Sequence, residues 1–268
     1  MKRSRDHQCA RRAVVPAALL ALSLWCAAAD AASPLRDAGE MAPVDAEAGA
    51  GLAAEQPVGA DPFGVKQLVE QLRDPETRAA ARDALASTGP PIVHGLLPFL
   101  DHPDMTVRWE VATVLGTIGD PVAAPALVRR VIGDDNPHVR WRSLWSLTRF
   151  ERARDATVNA FRKHLQSDAE AERWNAAVAL SMFGEDDGVP LFHAGVGHLK
   201  PWRRWEAINA LGRVHDRATV QVLAGVLQSG RPRDRQEAVL SLGKIGGDVA
   251  VRALIGVLGD PEEDVRWR

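Results

Sequence analysis

Acid–base, nucleophilic or metal chemistry needs histidine, carboxylate or thiol groups held at set spacings, and this sequence scatters them. The closest histidines, His193 and His198, stand five apart, whereas a helical zinc pair needs an i, i+4 spacing within H-E-x-x-H, which is absent. His7, His94, His102, His138, His164 and His215 stand apart from one another. The acidic pairs Asp134-Asp135, Asp186-Asp187 and Glu262-Glu263 fall in turns, where capping a helix accounts for them. There is no glycine-rich phosphate loop and no G-x-S-x-G elbow. The only cysteines, Cys9 and Cys26, lie in the N-terminal segment. The expectation is therefore no catalytic residue, no metal and no cofactor.

Arginine and tryptophan, in contrast, are strictly ordered. Arg78, Arg108, Arg140, Arg173, Arg204, Arg235 and Arg266 recur at spacings of 30, 32, 33, 31, 31 and 31 residues. A leucine follows each of the first six by seven residues: Leu85, Leu115, Leu147, Leu180, Leu211 and Leu242. Trp109, Trp141, Trp174 and Trp205 directly follow four of the arginines, Gln236 breaks the column, and Trp267 resumes it. Trp145 adds a second ring one turn after Trp141. Guanidinium forks pair bidentately with carboxylates and stack on aromatic faces, and tryptophan and arginine are enriched at binding hot spots. Two readings of the tryptophan column stand together, a packing ladder and a partner-binding surface. The arginines read as a clamp between repeats.

A period of about 31 residues is the mark of a repeat array. Each unit needs two helices. The first is a short apolar segment such as APALVRRVIG or VAVRALIGVLG; the second opens with the arginine, as in TVRWEVATVLGTIG. At 100° per residue each arginine borders the stripe formed by the residues three, four and seven later, so its stem lies on apolar neighbours while its head reaches a turn. Gly119, Gly184 and Gly246 suit left-handed C-caps, and Asp120, Asp155, Asp187, Asp216 and Asp248 stand where the next helix needs an N-cap. No period-2 pattern occurs within 62–268, so the array is all-α, and stacking of units makes the core. The first unit carries Arg82 and Ala79 where later ones are apolar or Trp, as a capping repeat would, and the last stops one turn into its second helix.

The N-terminal quarter is different in kind. MKRSRDHQCARR is basic, AVVPAALLALSLW is a 13-residue apolar run, and Ala29-Asp30-Ala31 offers a small-residue cleavage site. Residues 1–32 thus read as a secretory signal peptide, the alternative being an uncleaved anchor. Residues 33–61 are rich in Ala, Gly and Pro and hold six acids against Arg36 alone, which reads as a disordered acidic linker. The array 62–268 carries 27 basic and 27 acidic residues, a poor match for a phosphate backbone.

A helix, an Asp-containing turn and Val-Arg opening a second helix, as in Asp134…Val139-Arg140 and Asp260…Val265-Arg266, resembles the HEAT repeat. The short loops and the A-L-G-x-I-G ending are most similar to the bacterial subgroup named after phycobilisome lyases. The resemblance implies a right-handed α-α superhelix of about seven two-helix repeats over 62–268. It also implies second helices on the concave side and a ladder of turn Asp to helix Arg between repeats. Ser167, His198 and Gly230 replace the turn Asp, so the ladder is expected to lapse there. HEAT-repeat hydroxylases bind iron through His-Glu dipeptides, and this sequence contains none. HEAT-like glycosylases that use Trp, Arg and Asp imply a nucleic-acid alternative, and the name-giving lyases imply an enzymatic one. The expectation is an exported, periplasmic or secreted, non-enzymatic scaffold. Its partner is a protein or peptide rather than nucleic acid, anchored on Trp109, Trp141, Trp145, Trp174 and Trp205, with no membrane span once the signal is cleaved.

Overall fold

In the computed structural model, residues 64–214 and 217–268 are described; the signal-peptide and linker readings, and the cap expected at Asp216, lie outside them. The heptad-spaced leucines explain why helices form where they do. Leu85, Leu115, Leu147, Leu180, Leu211 and Leu242 are all fully buried, and each contributes roughly 1.5–3 kcal/mol by leaving water.

Fourteen α-helices and no strand occur among the described residues. In chain order they are α1 Val65–Gln71, α2 Arg78–Thr88, α3 Val93–Leu96, α4 Met105–Ile118, α5 Ala124–Gly133, α6 Pro137–Leu147 and α7 Arg154–His164. The second half holds α8 Glu170–Met182, α9 Val189–Gly195, α10 Pro201–Leu211, α11 Arg217–Val226, α12 Pro232–Ile245, α13 Gly247–Ile255 and α14 Glu263–Arg266. Odd and even helices alternate as the first and second helices of seven repeats. Successive even helices pack against each other more extensively than successive odd ones, which puts the even helices on the inner side of the curve.

The turns follow local rules, with exceptions. Gly119 ends α4 as a left-handed C-cap with φ 73° and ψ 18°, and Gly184, one residue past the cap of α8, has φ 76°. Gly246 has φ 68° but ψ −163°, so the left-handed cap expected there is not formed. Asp120 accepts from the N–H of Val122 at 2.9 Å. The caps expected at Asp155, Asp187 and Asp248 are not formed. Asp155 and Asp248 lie inside the first turns of α7 and α13, and Asp187 instead accepts from Arg162. Asp104 and Asn136 cap α4 and α6, accepting from the N–H groups of Thr106 and His138.

The inner row is interlocked at two junctions and stepped at one. Ser146 on α6 donates to the carbonyl of Ala112 on α4 at 2.7 Å, and Ser241 on α12 donates to that of Ile208 on α10 at 2.9 Å. Both contacts exist because the facing residue is glycine. A Cβ on Gly116 would sit 2.3 Å from Ser146 Oγ, and one on Gly212 would sit 2.6 Å from Ser241 Oγ. The same register position after α6 is its C-cap Thr148, which carries a branched side chain where the other two junctions have glycine. Accordingly α8 packs on the outer helices α5 and α7 rather than on α6, and Asn175 on α8 donates through Nδ2 to the carbonyl of Ile132 on α5 at 2.9 Å. The fourth inner helix is set back toward the outer layer. The buried core divides there too: Ala176, Ala179 and Leu180 of α8 belong with the first repeats, Trp174 and Ala177 with the later ones.

Candidate functional site

The seven register arginines share one geometry. Each guanidinium donates to carbonyls five or six residues before it, at the end of its own repeat's first helix. Arg108 reaches His102 and Pro103 at 2.9 and 3.1 Å, Arg173 reaches Ser167 and Asp168 at 2.6 and 2.7 Å, and Arg204 reaches His198 and Leu199 at 2.9 and 3.0 Å. Arg78, Arg140, Arg235 and Arg266 do the same toward Leu72, Asp134, Ser229 and Asp260. Those carbonyls have no partner within their helix, so the arginine caps the turn from the side. This role within the repeat was not legible as such, because the sequence pattern only drew attention to the Asp ahead.

Four of the arginines also reach into the next repeat, Arg78 to Glu110 at 3.7 Å and three others to aspartates. Arg108 pairs bidentately with Asp134 at 2.9 Å on both oxygens, and the Asp134 side chain is fully buried. Arg235 forms the same fork with Asp260 at 2.7 and 2.9 Å. Arg204 meets Asp234 at 2.7 Å. The expected lapse at Gly230 is thus corrected: Asp234, inside the first turn of α12, supplies the carboxylate that the turn lacks. Among the described residues Arg140 and Arg173 form no ion pair, in keeping with Ser167 and His198 in the following turns. Burial opposes ionisation of Asp134, but its bonds from Arg108 and from the Asn136 N–H outweigh this and hold its pKa below the usual value. The fork from Arg235 holds that of Asp260 down in the same direction.

The tryptophans do not form one exposed stripe. Trp174 is 5% exposed: its ring meets Phe192 edge-on at 5.7 Å, it lies against Gly195, and its Nε1 donates to Glu206 at 2.6 Å. Its assignment as an accessible anchor is corrected, because the ring belongs to the contact between repeats. Trp109 is half-buried beneath the Arg142 guanidinium of the next repeat, 4.2 Å from its centroid. Trp141 is half-buried against the first core. Trp205 is also half-buried, on the fifth inner helix. Trp145 is half-buried on the inner face, and its indole N–H has no partner among the described residues. The exposed rings are Trp202 and Trp267, which the column reading passed over or left at the margin. Arg203 stacks between Trp174 and Trp202 at 4.8 and 5.3 Å while pairing with Glu170.

The inner face also carries polar groups that a search for catalytic motifs did not single out. Glu206, Asn209 and Arg213 follow at i, i+3 and i+7 from α10 into the turn after it, so they face the same way. Desolvation pushes the Glu206 carboxyl up, while Arg140, Arg203 and Arg213 pull it back. Burial pulls Arg213 down to about 10, with Glu206 as the opposing charge. Arg140 is lowered by burial as well, with Glu206 again the first of the charges opposing it, although the two residues sit two repeats apart. Asn209 Oδ1 is buried and has no hydrogen-bond partner among the described residues. At the other end of the inner row, burial raises the pKa of Glu110 against the pull of Arg82 and Arg78.

No group of three or more His, Cys, Asp or Glu side chains among the described residues could hold a metal ion. Two histidines have turn roles, His102 and His198 each accepting through Nδ1 from the N–H two residues on, at 3.0 Å.

Sequence comparison matches the HEAT repeat family over residues 65–148 and 189–268, and the chain belongs to that family. The unmatched stretch between them contains the set-back helix α8. No curated protein matches the chain. Among solved structures, human deoxyhypusine hydroxylase in complex with glycerol is 22% identical, covering 76% of this chain and 92% of that one at a TM-score of 0.35. The complex of CpcE and CpcF of phycocyanin lyase from Nostoc sp. PCC7120 is 20% identical, covering 81% and 98% at 0.43. YibA of E. coli is 17% identical, covering 79% and 85% at 0.49. At these values none of the three carries an argument about this chain.

Proposed function

We propose that this protein is an exported, non-enzymatic HEAT-repeat scaffold that binds a protein or peptide partner along its inner helices. The observation that carries the reading is the inner face itself. Trp145 presents an indole N–H and Asn209 a buried amide oxygen, neither with a partner among the described residues. A buried polar atom left unpaired costs about 1–3 kcal/mol, which a partner would recover on binding. Export is supported by the basic, apolar and small-residue order of residues 1–32 and by cysteines confined to positions 9 and 26. Among the described residues no helix is long and apolar enough to cross a membrane.

The test is site-specific photocrosslinking in intact cells. A crosslinker at Trp145 is expected to give a discrete adduct in the cell envelope, and one at the exposed outer residue Val122 to give none. Equal adducts from both positions, or none from Trp145, would refute an inner-face partner. An adduct only in the cytoplasm would refute export. Purified protein carrying a stoichiometric metal or pigment absorbance would overturn the non-enzymatic part.

A further inference from the structure

We propose that the turns of the fifth and sixth repeats form a docking edge for an anionic bilayer surface. Leu199 and Trp202 enter the headgroup layer, and Lys200, Arg231 and Arg233 meet the lipid phosphates. The edge is separate from the inner-face contact proposed above, and neither Trp145 nor Asn209 takes part in it.

The repeats supply their own comparison. In the four positions before the register arginine, the first four repeats carry Asp74 with Glu76, then Asp104, Asp135, and Asp168 with Glu170. The seventh carries Glu262, Glu263 and Asp264, and Arg73 is the one lysine or arginine in these five turns. The fifth and sixth repeats invert the pattern. Leu199, Lys200, Pro201 and Trp202 stand in one, and Gly230, Arg231, Pro232 and Arg233 in the other. Three bases and no acid occupy those positions, so the edge changes sign at the fifth repeat.

The two turns are joined through one guanidinium. Arg204 donates to the Leu199 carbonyl at 3.0 Å and to Asp234, the residue after Arg233, at 2.7 Å. Arg231 approaches the same oxygen of Asp234 at 3.7 Å. One carboxylate is thus shared by two guanidinium groups. The side chains of Lys200 and Arg233 form no ion pair or hydrogen bond among the described residues, which leaves the pair of turns cationic.

The apolar part is held outward. Leu199 is 89% exposed, and Trp202, three residues on at the start of α10, is exposed as well. The turn is nonetheless pinned. The N–H of Lys200 donates to His198 Nδ1 at 3.0 Å, and Arg204 holds the carbonyls of both His198 and Leu199. An exposed leucine with an indole beside it, and bases in the same two turns, suits a bilayer interface. There tryptophan settles at headgroup level, and lysine and arginine are drawn to anionic lipid. A folded acidic partner would have to offer a pocket shaped to Leu199, whereas the acyl boundary of a bilayer needs none. The acidic turns on either side, with Asp168 and Glu170 before and Glu262 and Glu263 after, confine the contact to these two repeats.

Flotation of the purified chain with vesicles tests this. Phosphatidylcholine vesicles are compared with equimolar phosphatidylcholine and phosphatidylglycerol. The apolar run within residues 1–32 is common to every variant, so the differences between variants carry the result. Wild type is expected to prefer the anionic vesicles, with an affinity that falls as salt is added. Leu199→Ser should weaken that binding about tenfold, and Lys200→Gln and Arg233→Gln about fivefold each. Met105→Ser, at an exposed apolar residue of the acidic second turn, should change nothing. Lipids brominated near the glycerol end should quench tryptophan fluorescence more in wild type than in Trp202→Phe. Circular dichroism melts check that each variant is folded, as substitution of exposed side chains predicts. Wild-type affinity in Leu199→Ser or in the double variant Lys200→Gln, Arg233→Gln would overturn the proposal. So would binding insensitive to salt, or quenching undiminished in Trp202→Phe. Displacement of the chain from vesicles by polyglutamate or by oligothymidylate at equal charge would assign the edge to an acidic protein or to nucleic acid instead, and would also overturn it.

Discussion

A buried fork, a buried ring and a raised carboxyl make different demands on the fold. Asp134 is fully buried on two bonds from Arg108, whose fork also meets Asp135. Removing the carboxylate therefore loses charge-assisted bonds without stranding the guanidinium, and Asp134→Ala is expected to cost about 1.5–3 kcal/mol in urea unfolding. The sign of its pH dependence follows from its lowered pKa. The stabilisation is fully present above the unfolded aspartate value of about 3.9 and is lost as pH falls through the folded one, so wild type and Asp134→Asn should converge in strong acid. Glu206 has the opposite sign. Its raised pKa means the folded state holds a proton that the unfolded chain has released, so stability declines as pH rises above about 4.3. Glu206→Gln removes that decline, and its melting temperature relative to wild type should climb across the same interval. Trp174→Ala should cost roughly 3–5 kcal/mol, whereas Trp202→Ala, at a ring 40% exposed, should stay within about 1 kcal/mol. Equal losses at the two would contradict the division drawn between packed and solvent-facing rings.

Helices in this array meet through very small contacts, and that makes the junctions unequal. Gly116 faces Ser146 and Gly212 faces Ser241 at distances that leave no room for a methyl group. Gly116→Ala and Gly212→Ala should each destabilise by about 1–3 kcal/mol through overpacking. Gly133→Ala, at a helix end with open space around it, should gain up to about 1 kcal/mol from helix propensity. Thr148, the C-cap of α6, stands where glycine does in α4 and at the C-cap of α10, and the fourth inner helix is the one that is displaced. The unit repeat is thus the same throughout, but the junctions differ by the volume of one side chain. Those volumes are printed in the sequence. Their consequence is not, because it depends on which residue of the next helix arrives opposite.

Over the whole array, stability in a repeat protein is a sum of units and of junctions between neighbours. Two buried cores meet on opposite faces of α8, where the inner row is stepped. Hydrogen exchange in moderate denaturant is expected to show the helices before and after α8 opening with separate free energies. A single free energy for all protected amides would show that the step does not weaken coupling.

The repeat and its two helices, the buried leucines and the seven arginines are legible in the chain alone. Each depends on local periodicity: a 3.6-residue turn converts spacing into a face, and a 31-residue period converts that face into a stack. The roles of the arginines and tryptophans were only half legible. A column of Trp reads the same whether its rings point to solvent or into the next repeat. Trp174 proved to be packed because Phe192 and Gly195, from a different helix, receive it. Asp234 replaces the missing turn aspartate from inside a helix, and no rule of spacing points to it. Glu206, Asn209 and Arg213 look in sequence like the polar side of an ordinary helix. Only tertiary structure lets Glu206 and Arg140 act on each other's charge, because the distance between residues two repeats apart is decided by packing rather than by the chain between them.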